Sequence, residues 1–187
     1  MARMPGLPPA RRRGLLRGAS LVEIIVCVFL MSILATIAMP SLNGLIERQR
    51  TVAAVHALLN NLALTRLTAI SRRSTAALCP SSDGRTCLAG TDWSGGWLLF
   101  LDRDGNRRPD GPDDIVRTDI APISSRLRLY STAGRQQIRY LADGRSAGSN
   151  LTLSICDQGG RVLASVIVNN AGRARSAYPE KPTACPR

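Results

Sequence analysis

Gly172-Arg173-Ala174-Arg175 sets two guanidinium groups two residues apart. On an extended segment both side chains project to one side, spaced to meet neighbouring phosphates. The planar fork of arginine suits that contact. Asn169-Asn170-Ala171 precedes the motif and reads as a turn. Taken alone, an R-x-R stretch reads more simply as a solvated basic edge. The nearest aromatic is Tyr178, so base stacking has little to work with. Any nucleic-acid contact would therefore be to the phosphate backbone, independent of sequence and weakened by salt. Arg145 and Arg161 are candidates to extend the patch.

Two other stretches have the residue types for chemistry. From Asp102 to Asp113, oxygen-bearing side chains fall at positions 1, 3, 5, 9 and 12 of an EF-hand-like loop. The sixth position is Arg107 where that loop needs glycine, and the twelfth is Asp113 rather than Glu. Arg103, Arg107 and Arg108 add like charge, so the stretch reads as a polar hairpin loop. Gly144-Arg145-Ser146-Ala147-Gly148 fits G-x-S-x-G, but a nucleophile elbow needs a helix after it. Leu151–Ile155 reads as a strand instead, and His56, the only histidine, sits on an early helix. A glycine-rich turn is the simpler reading, and neither catalysis nor a cofactor is expected.

Cys79, Cys87, Cys156 and Cys185 form no CxxC pair, which argues against zinc and thioredoxin chemistry. Downstream of an apolar segment, an even set of four points to two disulfides in an oxidising compartment. Three pairings are open. Cys79–Cys87 would close a short loop and Cys156–Cys185 would tie down the tail, and that pairing is favoured. Cys27 lies inside the apolar run and reads as a small buried apolar residue.

These groups need elements to hold them. No charge occurs from Ile24 to Met39. With the apolar residues on either side, the segment 19–46 is long enough to span a bilayer. Arg3, Arg11, Arg12, Arg13 and Arg17 precede it, which places the N-terminus in the cytoplasm and the chain after about residue 47 outside. Glu23, near the start of the span, is costly there and calls for a partner or a function. A helix over about 20–73 is expected, loosened at Pro40. Its packed face is read as Val55, Leu58, Leu59, Leu62, Ala63, Leu67 and Ile70, with Asn60, Asn61 and Arg66 elsewhere. Beyond Ser74, period-2 alternation at Leu127/Leu129, Leu151–Ile155 and Val162–Val168, and the apolar run Trp97–Leu101, predict short strands. The fold class is α+β.

The chain has 187 residues and a net charge of +12, nearly all from arginine, since Lys181 is its only lysine. Residues 83–119 hold eight acids and five arginines, whereas 126–175 hold eight arginines against Asp143 and Asp157. An acidic loop region and a basic C-terminal half result.

Gly18-Ala19-Ser20-Leu21-Val22-Glu23-Ile24-Ile25, behind a basic leader of residues 1–18, resembles the type III signal of type IV prepilins. The resemblance implies cleavage by prepilin peptidase between Gly18 and Ala19. It makes Glu23 the fifth mature residue, where it offsets the positive N-terminus of a neighbouring subunit during assembly. A twin-arginine signal at Arg12-Arg13 is the weaker reading, because Glu23 interrupts its core and no A-x-A site follows. Trp93–Asp102, Ile115-Val116-Arg117, Asp143-Gly144-Arg145, Ile155-Cys156-Asp157 and Gly172–Arg175 together resemble the GspH/FimT group of minor pilins and pseudopilins. Gly172-Arg173-Ala174-Arg175 is most similar to the GRxR stretch of the FimT branch, which is associated with DNA capture in natural transformation. The resemblance implies a pilin fold, residues 47–187 as a periplasmic domain, and a single-pass inner-membrane protein that enters a pilus. Its implied partners are other pilin subunits, the peptidase, inner-membrane lipid and double-stranded DNA. A GspH-like pseudopilin of type II secretion, or a structural pilin that primes assembly, is the alternative.

Overall fold

The computed structural model describes residues 20–186; side chains at 37–41 and 43 are not described. The leader and the Gly18–Ala19 junction lie outside the described residues. Helix α1 (Leu21–Arg72) is followed by eight strands: β1 (Ala76–Pro80), β2 (Gly96–Leu101), β3 (Ile115–Ile120), β4 (Arg128–Ser131), β5 (Ile138–Tyr140), β6 (Leu151–Cys156), β7 (Val162–Val168) and β8 (Ala174–Ala177). Two compact units divide the chain, residues 1–44 and 45–187.

In the first unit, Ile24 N–H donates to the Ser20 carbonyl at 3.1 Å, which begins the helix. Ser20 and Glu23 have capping-box spacing, and a carboxylate in the first turn complements the helix dipole. Side chains from Leu21 to Thr36 are exposed. Cys27, expected to be buried, is a free and exposed thiol on this helix surface. Among the described residues no helix is long and apolar enough to cross a membrane. Leu42, Leu45 and Ile46, farther along the same helix, are exposed as well, and the sequence carries no charge from Ile24 to Ile46.

The second unit is built on the C-terminal half of α1. Its buried face is Ala54, Val55, Leu58, Leu62 and Ala69, with Asn61, Thr65 and Thr68 among them. The expected face was partly wrong. Leu67 and Ile70 are 61% and 45% exposed, Ala63 is exposed, and Asn61 is buried. The physical reason is that buried Asn61 and Thr65 each donate back to the helix's own carbonyls. Asn61 Nδ2 donates to the Ala57 carbonyl at 2.9 Å, and Thr65 Oγ1 donates to that of Asn61 at 2.6 Å. Buried polar side chains of this kind break the apolar periodicity without breaking the packing. The helix ends in a Schellman arrangement, with Ser74 N–H to Ala69 O, Arg73 N–H to Ile70 O, and Arg73 left-handed at φ 49°.

The strands form two antiparallel four-stranded sheets, ordered β3-β2-β1-β5 and β4-β6-β7-β8. Every residue of β1 and β2 is buried. β7 buries Ala164, Val166 and Val168, while Leu163, Ser165 and Ile167 on its other face are half-buried. One core joins the helix to both sheets through Leu58, Leu62, Trp93, Trp97, Leu129 and Ile155. Among the described residues every buried core residue lies between Thr51 and Val168, so the unit from Leu45 holds the whole of that core.

The cysteines pair Cys79–Cys87 and Cys156–Cys185. The first bridge closes the turn after β1 and is backed by Leu98 and Phe100. Cys79→Ser/Cys87→Ser is expected to lower unfolding stability by about 2 kcal/mol, as the chain-entropy relation gives for a loop this short. A urea melt of the chain from Leu45 checks it.

Candidate nucleic-acid interface

β8 is an edge strand, pairing only with β7 in the register Val168↔Ala174 and Ile167↔Arg175. Its alternation puts Ala174 against the core and leaves Arg173 and Arg175 exposed. The two α-carbons are about 7 Å apart by strand rise. Among the described residues no carboxylate pairs with either guanidinium. Charged side chains on an edge also prevent strand-to-strand aggregation, so exposure alone does not define a site.

The turn that presents this edge is tightly specified. Asn169 N–H donates to the Arg173 carbonyl at 3.1 Å, and Gly172 N–H donates to the Asn169 carbonyl at 2.9 Å. Asn169 Oδ1 accepts Arg173 N–H at 2.9 Å. Gly172 has φ +75°, and a Cβ there would lie 2.1 Å from the Gly144 carbonyl oxygen. Gly144, at φ +80°, is itself pressed against α1, where a Cβ would meet Ile70 Cδ1 at 2.8 Å. Ser146 N–H donates to the Asn170 carbonyl at 3.1 Å, and Arg66 on α1 reaches the Ala171 carbonyl at 3.4 Å. The Asp143-Gly144-Arg145 and Gly172–Arg175 motifs, distant in sequence, are thus two turns stacked on each other and on the helix. Sequence reasoning did not link them. The signal was the glycine in each motif, which one chain cannot interpret without the contact.

The other predicted arginines differ from this pair. Arg145 is tied to Asp143, with Nε–Oδ2 at 2.6 Å. Arg161 is tied to Asp157 at 2.7 Å. Both aspartates are held below the usual carboxylate range, chiefly by the backbone N–H of the paired arginine's own residue. Arg145 stands beside the ridge with its charge compensated. Arg161 opens β7 at the end opposite the Asn169–Gly172 turn, on the order of 20 Å from Arg173 along the strand. The structure does not bring it to the ridge. Cys156–Cys185 anchors the tail at that same far end, where Cys185 N–H donates to the Gly160 carbonyl at 2.8 Å.

The remaining motifs resolve into local structure. Ser146 is buried, bridges to Tyr140, and is followed by a loop into β6, while His56 is exposed on α1. Arg107 adopts φ +69°, and its N–H donates to Asp102 Oδ1 at 3.1 Å. Asn106 Nδ2 donates to Asp110 Oδ1 at 2.7 Å, and Arg103 pairs with Asp114 at 3.3 Å. The acidic loop is held together by its own hydrogen bonds. Among the described residues no three His, Cys, Asp or Glu side chains are grouped to hold a metal.

The family described as "Type II transport protein GspH" matches residues 54–172, from the buried face of α1 to the glycine of the turn. The chain belongs to the GspH family. The pilin-like protein PilA1 of Thermus thermophilus is 26% identical over 163 residues, covering 85% of this chain and 97% of the relative. The minor pilin FimU of Pseudomonas aeruginosa PAO1 superposes with a TM-score of 0.56 at 20% identity, covering 74% of this chain and 97% of FimU. A second crystal form of FimU gives 0.51. This GspH-family chain therefore has the type IV pilin-like α+β fold expected of it.

Tyr140 sits beneath the ridge, with its ring against Gly172. Burial pushes its phenol up to about 12. A raised phenol keeps its proton in the folded chain while the unfolded chain loses it from about pH 10. The resulting stability is complete below pH 10 and is lost as pH rises toward 12. Urea midpoints measured across that window are expected to fall in the wild type, and to fall less in Tyr140→Phe.

Proposed function

We propose that this protein is a FimT-like minor type IV pilin that binds double-stranded DNA for natural transformation. Prepilin peptidase cuts it between Gly18 and Ala19, segment 19–46 anchors it in the inner membrane, and the unit from Leu45 faces the periplasm. It then joins other pilin subunits in a pilus. Membership of the GspH family and the pilin-like fold support the pilin part of this reading. The observation that carries the DNA part is the pair Arg173/Arg175, exposed and without carboxylate partners among the described residues, on an edge held by a glycine turn. Such a ridge meets phosphate oxygens without reading bases. It has no catalytic role.

The test is complementation of a deletion strain. Arg173→Gln/Arg175→Gln is expected to restore piliation while transformation falls about ten-fold or more, equivalent to roughly 1.4 kcal/mol or more of lost binding. Equal transformation by mutant and wild type contradicts the reading. A second reading, a pseudopilin of type II secretion, is favoured by the description of the family itself. Loss of protein export in the deletion strain, with transformation intact, would establish it.

A further inference from the structure

We propose that the cleft between the β4–β5 loop and the Asp102–Asp110 loop binds a single phosphate-class oxyanion, at a site separate from the β8 ridge. Its volume is about 280 Å³, and Arg107, Arg135, Gln137, Arg139 and Gly148 line it. That is just below the range of pockets for drug-sized ligands and ample for one tetrahedral anion.

The site is built around Arg135. Its guanidinium lies across Gly148, which has φ +97° and where a Cβ would fall 2.7 Å from Nη1. Nη2 donates to the Ala147 carbonyl at 2.9 Å, and Nη1 donates to the Ser149 carbonyl. Both acceptors are neutral. The fork is therefore positioned by backbone while its charge stays uncompensated. Arg103, Arg117, Arg145 and Arg161 each have an aspartate; among the described residues Arg135 has none. Arg139 stands beside it, with one carboxylate contact, Asp102 Oδ2 at 3.7 Å. Arg107 stands exposed at the rim. Among the described residues, only the Arg139 guanidinium of the three has a carboxylate within ion-pair distance, and the other oxygen of that carboxylate accepts Arg107 N–H. Burial and the like charge of Arg139 both weaken the hold of Arg135 on its proton. An oxyanion between the forks reverses that repulsion and takes up the free donors.

The cleft and the ridge flank one hairpin. Ala147 N–H donates to the Arg139 carbonyl at 2.9 Å on the cleft side, and Gly144 meets Gly172 at the tip. A free phosphate and a backbone phosphate of DNA offer the same chemistry to this cleft. The site holds whether or not the ridge binds DNA.

The test uses the unit from Leu45. Inorganic phosphate is titrated calorimetrically, and melting is compared in phosphate and chloride at equal ionic strength. Phosphate is expected to bind and to raise the melting temperature. Arg135→Gln should weaken phosphate binding about ten-fold, as expected for losing a charge-assisted bond. Arg107→Gln, whose exposed side chain is not needed for folding, should weaken it by a smaller factor. Arg173→Gln/Arg175→Gln should leave it unchanged. If Arg107→Gln also weakens binding of a short duplex, the cleft takes a backbone phosphate; if the duplex is unaffected, it takes a free anion. No phosphate-specific binding, or equal binding by both cleft variants and the wild type, overturns the proposal.

Discussion

Gly172→Val is expected to lower unfolding stability by about 5 kcal/mol and to abolish DNA binding in the folded remainder. Two costs add. A β-branched residue at φ +75° has a steric cost of about 1–2 kcal/mol. The larger share comes from the Gly144 carbonyl, 2.1 Å from where the new Cβ would stand. That atom is backbone, in a turn whose Gly144 N–H donates to the Leu141 carbonyl and which rests on α1, so it cannot rotate away as a side chain would. Gly105 separates the two costs. It has φ +80° with open space around it, so Gly105→Ala should cost about 1 kcal/mol. Denaturant melts of the two variants with disulfides intact make the comparison. Equal, small losses at both positions would mean that the stacked turns are not a structural unit.

Glu23→Ala is expected to leave processing at Gly18–Ala19 intact and to eliminate incorporation into filaments. The residue is the only charge in the stretch from Ala19 to Met39. Isolated in an apolar environment, a carboxylate is costly, and the positive N-terminus exposed by cleavage is costly for the same reason. In the proposed assembly, pairing the two between adjacent subunits would offset much of both costs and fix their register. Mature-length protein accumulating in the membrane fraction, with none in sheared filaments, is the expected result. Incorporation at the wild-type level would remove Glu23 from the assembly account. Glu23→Asp, which keeps the charge on a shorter arm, should recover part of it.

Much of this chain was legible from its sequence, and the gaps have physical causes. α1 was expected over about 20–73 and occupies Leu21–Arg72, because a long apolar run continues into a periodic one. β2 falls on the apolar run that predicted it, and β4, β6 and β7 fall on or next to the alternations that predicted them. β1 was not read: Ala76-Ala77-Leu78-Cys79-Pro80 is buried on both faces, so it has no polar alternation to show. β3 was not read as a strand for the opposite reason, since none of its residues is fully buried. The helix face was misplaced by Asn61, Thr65 and Thr68, which are buried yet polar. At the candidate site, the two arginines were picked out from their spacing together with the resemblance to the GRxR stretch. The compensation of Arg145 by Asp143 and the remoteness of Arg161 could not, because both depend on where hairpins end. Nor could the stacking of Gly144 on Gly172, which joins turns 28 residues apart in sequence.

A salt series of duplex DNA binding by the unit from Leu45, with both disulfides formed, tests directly whether the β8 edge binds DNA. Wild type is compared with Arg173→Gln/Arg175→Gln. The account predicts that log K for wild type falls steeply and linearly with log salt. It also predicts that the double mutant binds weakly at every salt, with the slope reduced by about 2, one for each lost phosphate contact. Wild-type binding with an unchanged slope in the mutant would place the interface elsewhere. No binding by either protein at low salt would contradict the DNA reading and leave a structural subunit of a pilus or pseudopilus.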